Sequence, residues 1–202
     1  MKHTQIVGWL SVYALTALTG MAQVTAPGQA APAFTLADLD GRPHALETYT
    51  GKYVVLEWTN YDCPFVKKHY ETGNMPALQK QVADDQGVWL SICSSAPGKQ
   101  GHFTNAQWAE RMAAVKAVPH AVLLDPDGAV GRSYGAKNTP HLFVINPEGV
   151  VIYAGAIDNQ PGLDRATMGQ AVNYVVQALT EARAGKPVSV PATAPYGCSV
   201  KY

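Results

Sequence analysis

Apolar positions along this chain fall into short unbroken blocks. Tyr53-Val-Val-Leu-Glu-Trp58, Gly87-Val-Trp-Leu-Ser-Ile-Cys-Ser94 and His120-Ala-Val-Leu-Leu124 lack strict alternation, the pattern of strands covered on both faces. Phe34 to Leu46 predicts two short strands joined at Asp40-Gly41, a strong hairpin dipeptide. His141–Ile145 and Val150–Ala154 predict a second hairpin, turned by Asn146-Pro-Glu-Gly149. Between the blocks the spacing turns helical. A helix beginning at Pro64 breaks at Thr72-Gly73 and restarts with Asn74 as cap, reaching about Asp84. Thr104 and Gln107 form a capping box that opens a helix to about Ala117. Asp125-Pro-Asp-Gly128 reads as a type I turn before a short helix over Ala129–Tyr134. Met168, Val172, Val175, Val176 and Leu179 form one apolar stripe, so the last helix is predicted to start near Asp164 and to end at Gly185 and Pro187. Strand, helix, strand, helix, strand, then a hairpin and a packing helix predict an α/β fold: a three-layer sandwich with a mixed central sheet and helices on both faces.

Composition sets the boundaries of this picture. The chain has 202 residues, is 47% hydrophobic and carries zero formal net charge, enough for one domain with a sizeable core. No run of Lys and Arg occurs, so nothing indicates nucleic acid or an anionic membrane as partner. Residues 1–22 read as an export signal, with Lys2 and His3 before a mostly apolar Ile6–Leu18 and small residues at Gly20-Met21-Ala22. The protein is therefore expected to be periplasmic or secreted, an uncleaved N-terminal anchor being the alternative. A Pro/Ala/Gly-rich linker follows (23–32), then the domain proper (33–185) and a C-terminal tail (186–202). Export places the three cysteines, Cys63, Cys93 and Cys198, where disulfides persist, and an odd count leaves at least one unpaired within a monomer.

Cys63 is the centre of the candidate chemistry. It follows a core strand and directly precedes Pro64, whose fixed φ and missing N–H suit the first position of a helix. A thiol there meets unpaired backbone N–H groups and the positive end of the helix dipole, and both favour thiolate. The other reading, a small buried apolar residue, is the ordinary state of a free cysteine. The edge formed by the C-terminal ends of an α/β sheet's strands, where ligands collect, tips the balance toward reactivity.

These elements, together with Ala31-Pro-Ala-Phe-Thr-Leu36, Trp58, Cys63-Pro-Phe-Val66, Thr139-Pro140, Phe143-Val-Ile-Asn-Pro-Glu-Gly149 and Gly197-Cys-Ser-Val-Lys201, resemble the thioredoxin-fold redoxins. The likeness is to the peroxiredoxin-like branch of the alkyl hydroperoxide reductase/thiol-specific antioxidant family, over about residues 27–185. It implies a thioredoxin-like sheet, Cys63 as nucleophile, and a cis-proline loop at Thr139-Pro140 that docks an extended substrate beside it. It also implies that Glu57 is a buried acid that moves protons; a rim pairing of Glu57 with Lys52 or Lys137 is the competing reading. No cofactor is implied. The implied partners are an external thiol or thioredoxin-like electron donor and a peroxide or disulfide substrate.

The sequence departs from that family in two ways. Val66 stands where a thioredoxin has its second cysteine, which excludes a Cys-x-x-Cys pair. Asn60 and Pro140 stand where a peroxiredoxin has a Thr or Ser and an Arg on the peroxide. Asn60 retains a donor for substrate, while Lys67, Lys68, Arg132 or Lys137 are candidates to replace the missing charge. Cys198 has three readings: a resolving thiol for Cys63, a permanent structural disulfide, or a free or intermolecular thiol. Cys93 reads as buried. Two other classes of function stand beside the antioxidant oxidoreductase: a catalytically silent binding module, and a copper site using Cys63 with His141, since His69, six residues on, does not share a helix face with Cys63.

Overall fold

The computed structural model describes residues 25–202, so the segment read as an export signal lies outside the described residues. Strand β3 (Val54–Trp58) runs through the centre of a seven-stranded sheet and is buried at all five positions. It pairs in parallel with β4 (Val88–Cys93) and antiparallel with β7 (His141–Ile145). β4 continues in parallel to β5 (Ala121–Leu124), and β5 pairs antiparallel with β1 (Thr35–Asp38) of the N-terminal hairpin, whose second strand is β2 (Pro43–Ala45). β8 (Val151–Gly155) closes the far edge against β7. The order is β2-β1-β5-β4-β3-β7-β8.

Alternation along β3 divides the core. Val54, Leu56 and Trp58 face one apolar cluster with Phe34, Leu90, Ile92, Tyr134 and Phe143, while Val55 faces the other with Val66, Tyr70, Trp89, Trp108 and Val175. The second cluster lies under α1 (Pro64–Glu71), α2 (Asn74–Asp84), α3 (Asn105–Ala114) and α5 (Tyr174–Arg183), which supply Val66, Val82, Trp108 and Val175. Tyr134, at the end of α4 (Ala129–Tyr134), covers the first. Glu57 shares its side of β3 with Val55, so a carboxyl group enters the face otherwise filled with aliphatic and aromatic side chains.

Several expectations need correction. The cap of α2 is Gly73, left-handed at φ 76°, and Asn74 is the first helical residue; its side chain instead meets the His69 ring. Residues Arg165–Gln170 form a separate 3₁₀ turn capped by Asp164, and α5 begins at Tyr174 behind a second cap, Asn173. Asn173 accepts from Val175 and Val176 N–H, so a local side-chain bond stops the helix that the stripe extended through Met168 and Val172. Val172 is 48% exposed. The described part of the segment read as a linker is held to the sheet: Gly28 N–H bonds Val151 O at 2.8 Å, and Ala30 bridges Val150.

The tail is ordered against the domain. Ala192 bridges Ala154 of β8, and Thr193 fills the space over Gly155, where a Cβ would meet its Oγ1 at 2.3 Å. Beyond it, β9 (Cys198–Ser199) pairs antiparallel with the two-residue strand β6 (Asn138–Thr139), placing Cys198 opposite Thr139. Tyr202 then packs on Gly128 and Gly131, donates to Ala136 O at 2.8 Å, and lies under the Arg132 guanidinium.

Candidate active site

Cys63 is the N-cap of α1, with Pro64 at the first helical position. Its backbone N–H bonds Asn60 O at 2.9 Å, and its carbonyl accepts from Lys67 N–H at 2.9 Å. The loop is therefore locked on both sides of the thiol. The side chain has no exposed surface, and as a thiol it donates to Thr139 O at 3.1 Å. Burial by itself disfavours the thiolate. Polar contacts from the Cys198 thiol, the Val66 N–H of the first helical turn and the Thr139 hydroxyl together outweigh it, so the net pKa is lowered. Cys198 responds oppositely: burial and the neighbouring Cys63 push it up to about 11. One proton thus sits preferentially on Cys198, leaving Cys63 the more acidic of the two thiols. Both are free thiols.

The Thr139-Pro140 peptide bond is cis. Its strand β6 carries β9 along its edge, with Val200 N–H bonding Lys137 O at 3.0 Å and Asn138 Nδ2 bonding Gly197 O at 3.0 Å. Gly197 stands at φ 122°, and a Cβ there would meet Thr139 O at 2.1 Å. Only glycine allows this approach.

Glu57 is fully buried and its hydrogen-bond partners among the described residues are Tyr70, Trp89 and Ser91 rather than Lys52 or Lys137, which removes the rim pairing. Oε2 accepts from Ser91 Oγ at 2.8 Å and Trp89 Nε1 at 2.9 Å, and the Tyr70 hydroxyl lies 2.9–3.0 Å from both carboxyl oxygens. Gln79 donates in turn to Tyr70. Burial raises the Glu57 pKa despite these donors, because a carboxylate without a cation in such a site is far costlier than its neutral acid. The carboxyl anchors Tyr70 of α1, and none of its hydrogen bonds is to Cys63.

The amide of Asn60 is committed to backbone groups: Oδ1 accepts from Asp62 N–H of its own loop at 2.9 Å and Nδ2 donates to Gln100 O, from a separate segment, at 3.2 Å. Among the described residues no basic side chain bonds the Cys63 sulfur. Lys68 is buried and donates to the carbonyls of Gln160 and Gly162, while Arg132 donates to Asp127 O. The His141 ring lies tilted against Phe143 and accepts from Lys137 N–H, its pKa pushed down to about 4 by burial. Phe143 belongs to the opposite face of the sheet from Val66, so His141 is not aimed at Cys63. Cys93 is buried and donates to Gly101 O, and burial raises its pKa. No group of three or more His, Cys, Asp or Glu that could hold a metal occurs among the described residues.

Two residues that the sequence reading did not select, Tyr196 and Asp158, border the site together with His69. Tyr196 Oη donates to Asp158 Oδ1 at 2.5 Å and lies 2.9 Å from His69 Nε2. The only signal for them was an aromatic residue two positions before Cys198 in a Pro/Ala-rich tail.

A free thiol at the N-cap of the helix following the central strand, faced by a cis-proline loop, defines a thioredoxin-fold redoxin. The same fold is found in an uncharacterised conserved protein of Geobacillus kaustophilus (TM-score 0.75, 23% identity, 87% of this chain and 92% of that one). It recurs in a hypothetical protein of Sinorhizobium meliloti (0.73, 21%, 89% and 96%) and in the thioredoxin domain of a thiol-disulfide oxidoreductase of Bacteroides vulgatus (0.51, 24%, 64% and 87%). No curated protein matches the sequence. The AhpC/TSA family profile matches residues 27–154, more than half of the chain, and the protein belongs to that family. No helix among the described residues is long and apolar enough to cross a membrane.

Proposed function

We propose that this is an exported thiol-dependent peroxidase whose working redox couple is Cys63 and Cys198. The observation that carries the reading is the β6–β9 pairing, which sets Cys198 against the thiol loop without any Cys-x-x-Cys motif. The Cys63 thiolate attacks a peroxide oxygen: an S–O bond forms, the O–O bond breaks, and the alcohol or water leaves with a proton. Cys198 then attacks the sulfenic acid, forming the S–S bond and releasing water. An external dithiol donor reduces the disulfide and restores both thiols. Thr139 and Pro140 shape the cleft, Pro64 and Asn60 fix the loop, and Glu57 holds α1 in place from below through Tyr70. No cofactor takes part. Export rests on residues 1–22 and suits a resident disulfide cycle.

A second reading follows from the same pairing. A strand lying along the cis-proline edge is how an extended protein substrate would dock, and Cys63–Cys198 would then serve as a dithiol pair for disulfide exchange.

The test is a cysteine-resolved mass-spectrometric map of reduced protein before and after a stoichiometric pulse of hydrogen peroxide. A Cys63–Cys198 disulfide is expected within the pulse, Cys198→Ser should stop at the Cys63 sulfenic acid, and Cys63→Ser should not react. If Cys63 survives the pulse but is trapped by a disulfide substrate, exchange is the chemistry. If neither reagent touches it, the enzyme reading fails in favour of a binding module.

A further inference from the structure

The tail must hold its cysteine over Cys63 long enough to intercept a sulfenic acid, and two residues before Cys198 one side chain is tied to the helix that carries Cys63. Asn74 Nδ2 donates to His69 Nδ1 at 2.9 Å, so His69 Nε2 carries the proton and donates to Tyr196 Oη at 2.9 Å. Tyr196 in turn donates to Asp158 Oδ1 at 2.5 Å, an oxygen also fixed by Gln160 N–H. His69 is 0% and Asp158 2% exposed, and Asp158 Oδ2 has no hydrogen-bond partner. The Tyr196 ring sits beside Phe65 and 5.2 Å from Lys68 Nζ. From Tyr196 to Cys198 only Gly197 intervenes, packed so closely on Thr139 that a Cβ there would collide with its carbonyl oxygen.

We propose that Tyr196 is a positioning residue for the resolving step: by bridging Asp158 and His69, its hydroxyl holds Cys198 in register with Cys63. This rests on Cys198 being the resolving thiol. Tyr196 and Asp158 contribute no atom to either sulfur's chemistry. Their effect is on the time the tail spends seated, and so on whether the sulfenic acid is resolved or is attacked by a second peroxide and oxidised to sulfinic acid.

The measurement is that partition. Reduced full-length wild type, Tyr196→Phe and Asp158→Asn are pulsed with hydrogen peroxide and quenched over time with dimedone, and Cys63 sulfenic acid, sulfinic acid and Cys63–Cys198 disulfide are counted by mass spectrometry. In Tyr196→Phe the disulfide should form about tenfold more slowly per sulfenic acid made, the ratio that losing a hydrogen bond to a carboxylate gives. Sulfinic acid should accumulate at peroxide levels that wild type survives. Asp158→Asn should shift the partition in the same direction, with its thermal transition confirming a folded protein. If both folded variants resolve at the wild-type rate, the positioning role is overturned while the peroxidase reading stands. If wild type itself makes no Cys63–Cys198 disulfide, both fall together.

Discussion

Glu57 is a buried acid with four hydrogen-bonding contacts but no cation. Its folded pKa is raised, so its contribution to stability is complete below the unfolded value of about 4.3 and is lost as the pH rises through the folded one. Glu57→Gln keeps the shape and removes the ionisation. In urea titrations at successive pH values from 4 to 8 the variant should gain on wild type as the pH rises; a constant difference would mean that Glu57 does not titrate there. His69 and His141 work in the opposite sense. Burial holds both near 4, so stability is complete above about 6.5 and is lost as the pH falls toward 4. His141→Asn should flatten that acid-side loss, with unfolding between pH 4 and 7 as the readout. Cys63 was legible from its neighbours because a helix N-cap is a local feature. The setting of Glu57 was not, since Trp89 and Ser91 reach it from another strand in a register that no single segment reveals.

Elements divide in the same way. The three parallel strands were readable because burial on both faces leaves continuous apolar runs, and the capping box at Thr104 appears where expected, with both of its bonds formed. The final helix was misjudged because a 3₁₀ turn and an α-helix can share one stripe, and only the Asn173 cap separates them. Strands β6 and β9 have two residues each, too few for any periodicity. Their pairing depends on Gly197, so the tail's seating can be tested at that one position. In Gly197→Ala the new Cβ collides with the Thr139 carbonyl at a backbone angle that L-residues avoid. Thiol labelling should then find Cys198 reacting at the rate of an open thiol, with the domain's far-ultraviolet dichroism unchanged. Labelling at the wild-type rate would show that the strand pair tolerates the methyl group.

For the whole molecule, the tail is seated on several points of the domain at once. It lies along β8, crosses the cis-proline edge and ends in a slot between Gly128 and Gly131. Cys63 beneath it has no exposed surface, so an oxidant meets it only in conformations that uncover it. Its reactivity is then expected to be the intrinsic rate multiplied by the fraction of molecules that are open. On the proposed peroxidase reading, the acidity of the thiol is only half of what sets the response to peroxide. The other half is set by how firmly Thr193 and Tyr202 grip the domain, and a substitution in the Tyr202 slot, away from any sulfur, would retune the concentration of oxidant to which the molecule responds.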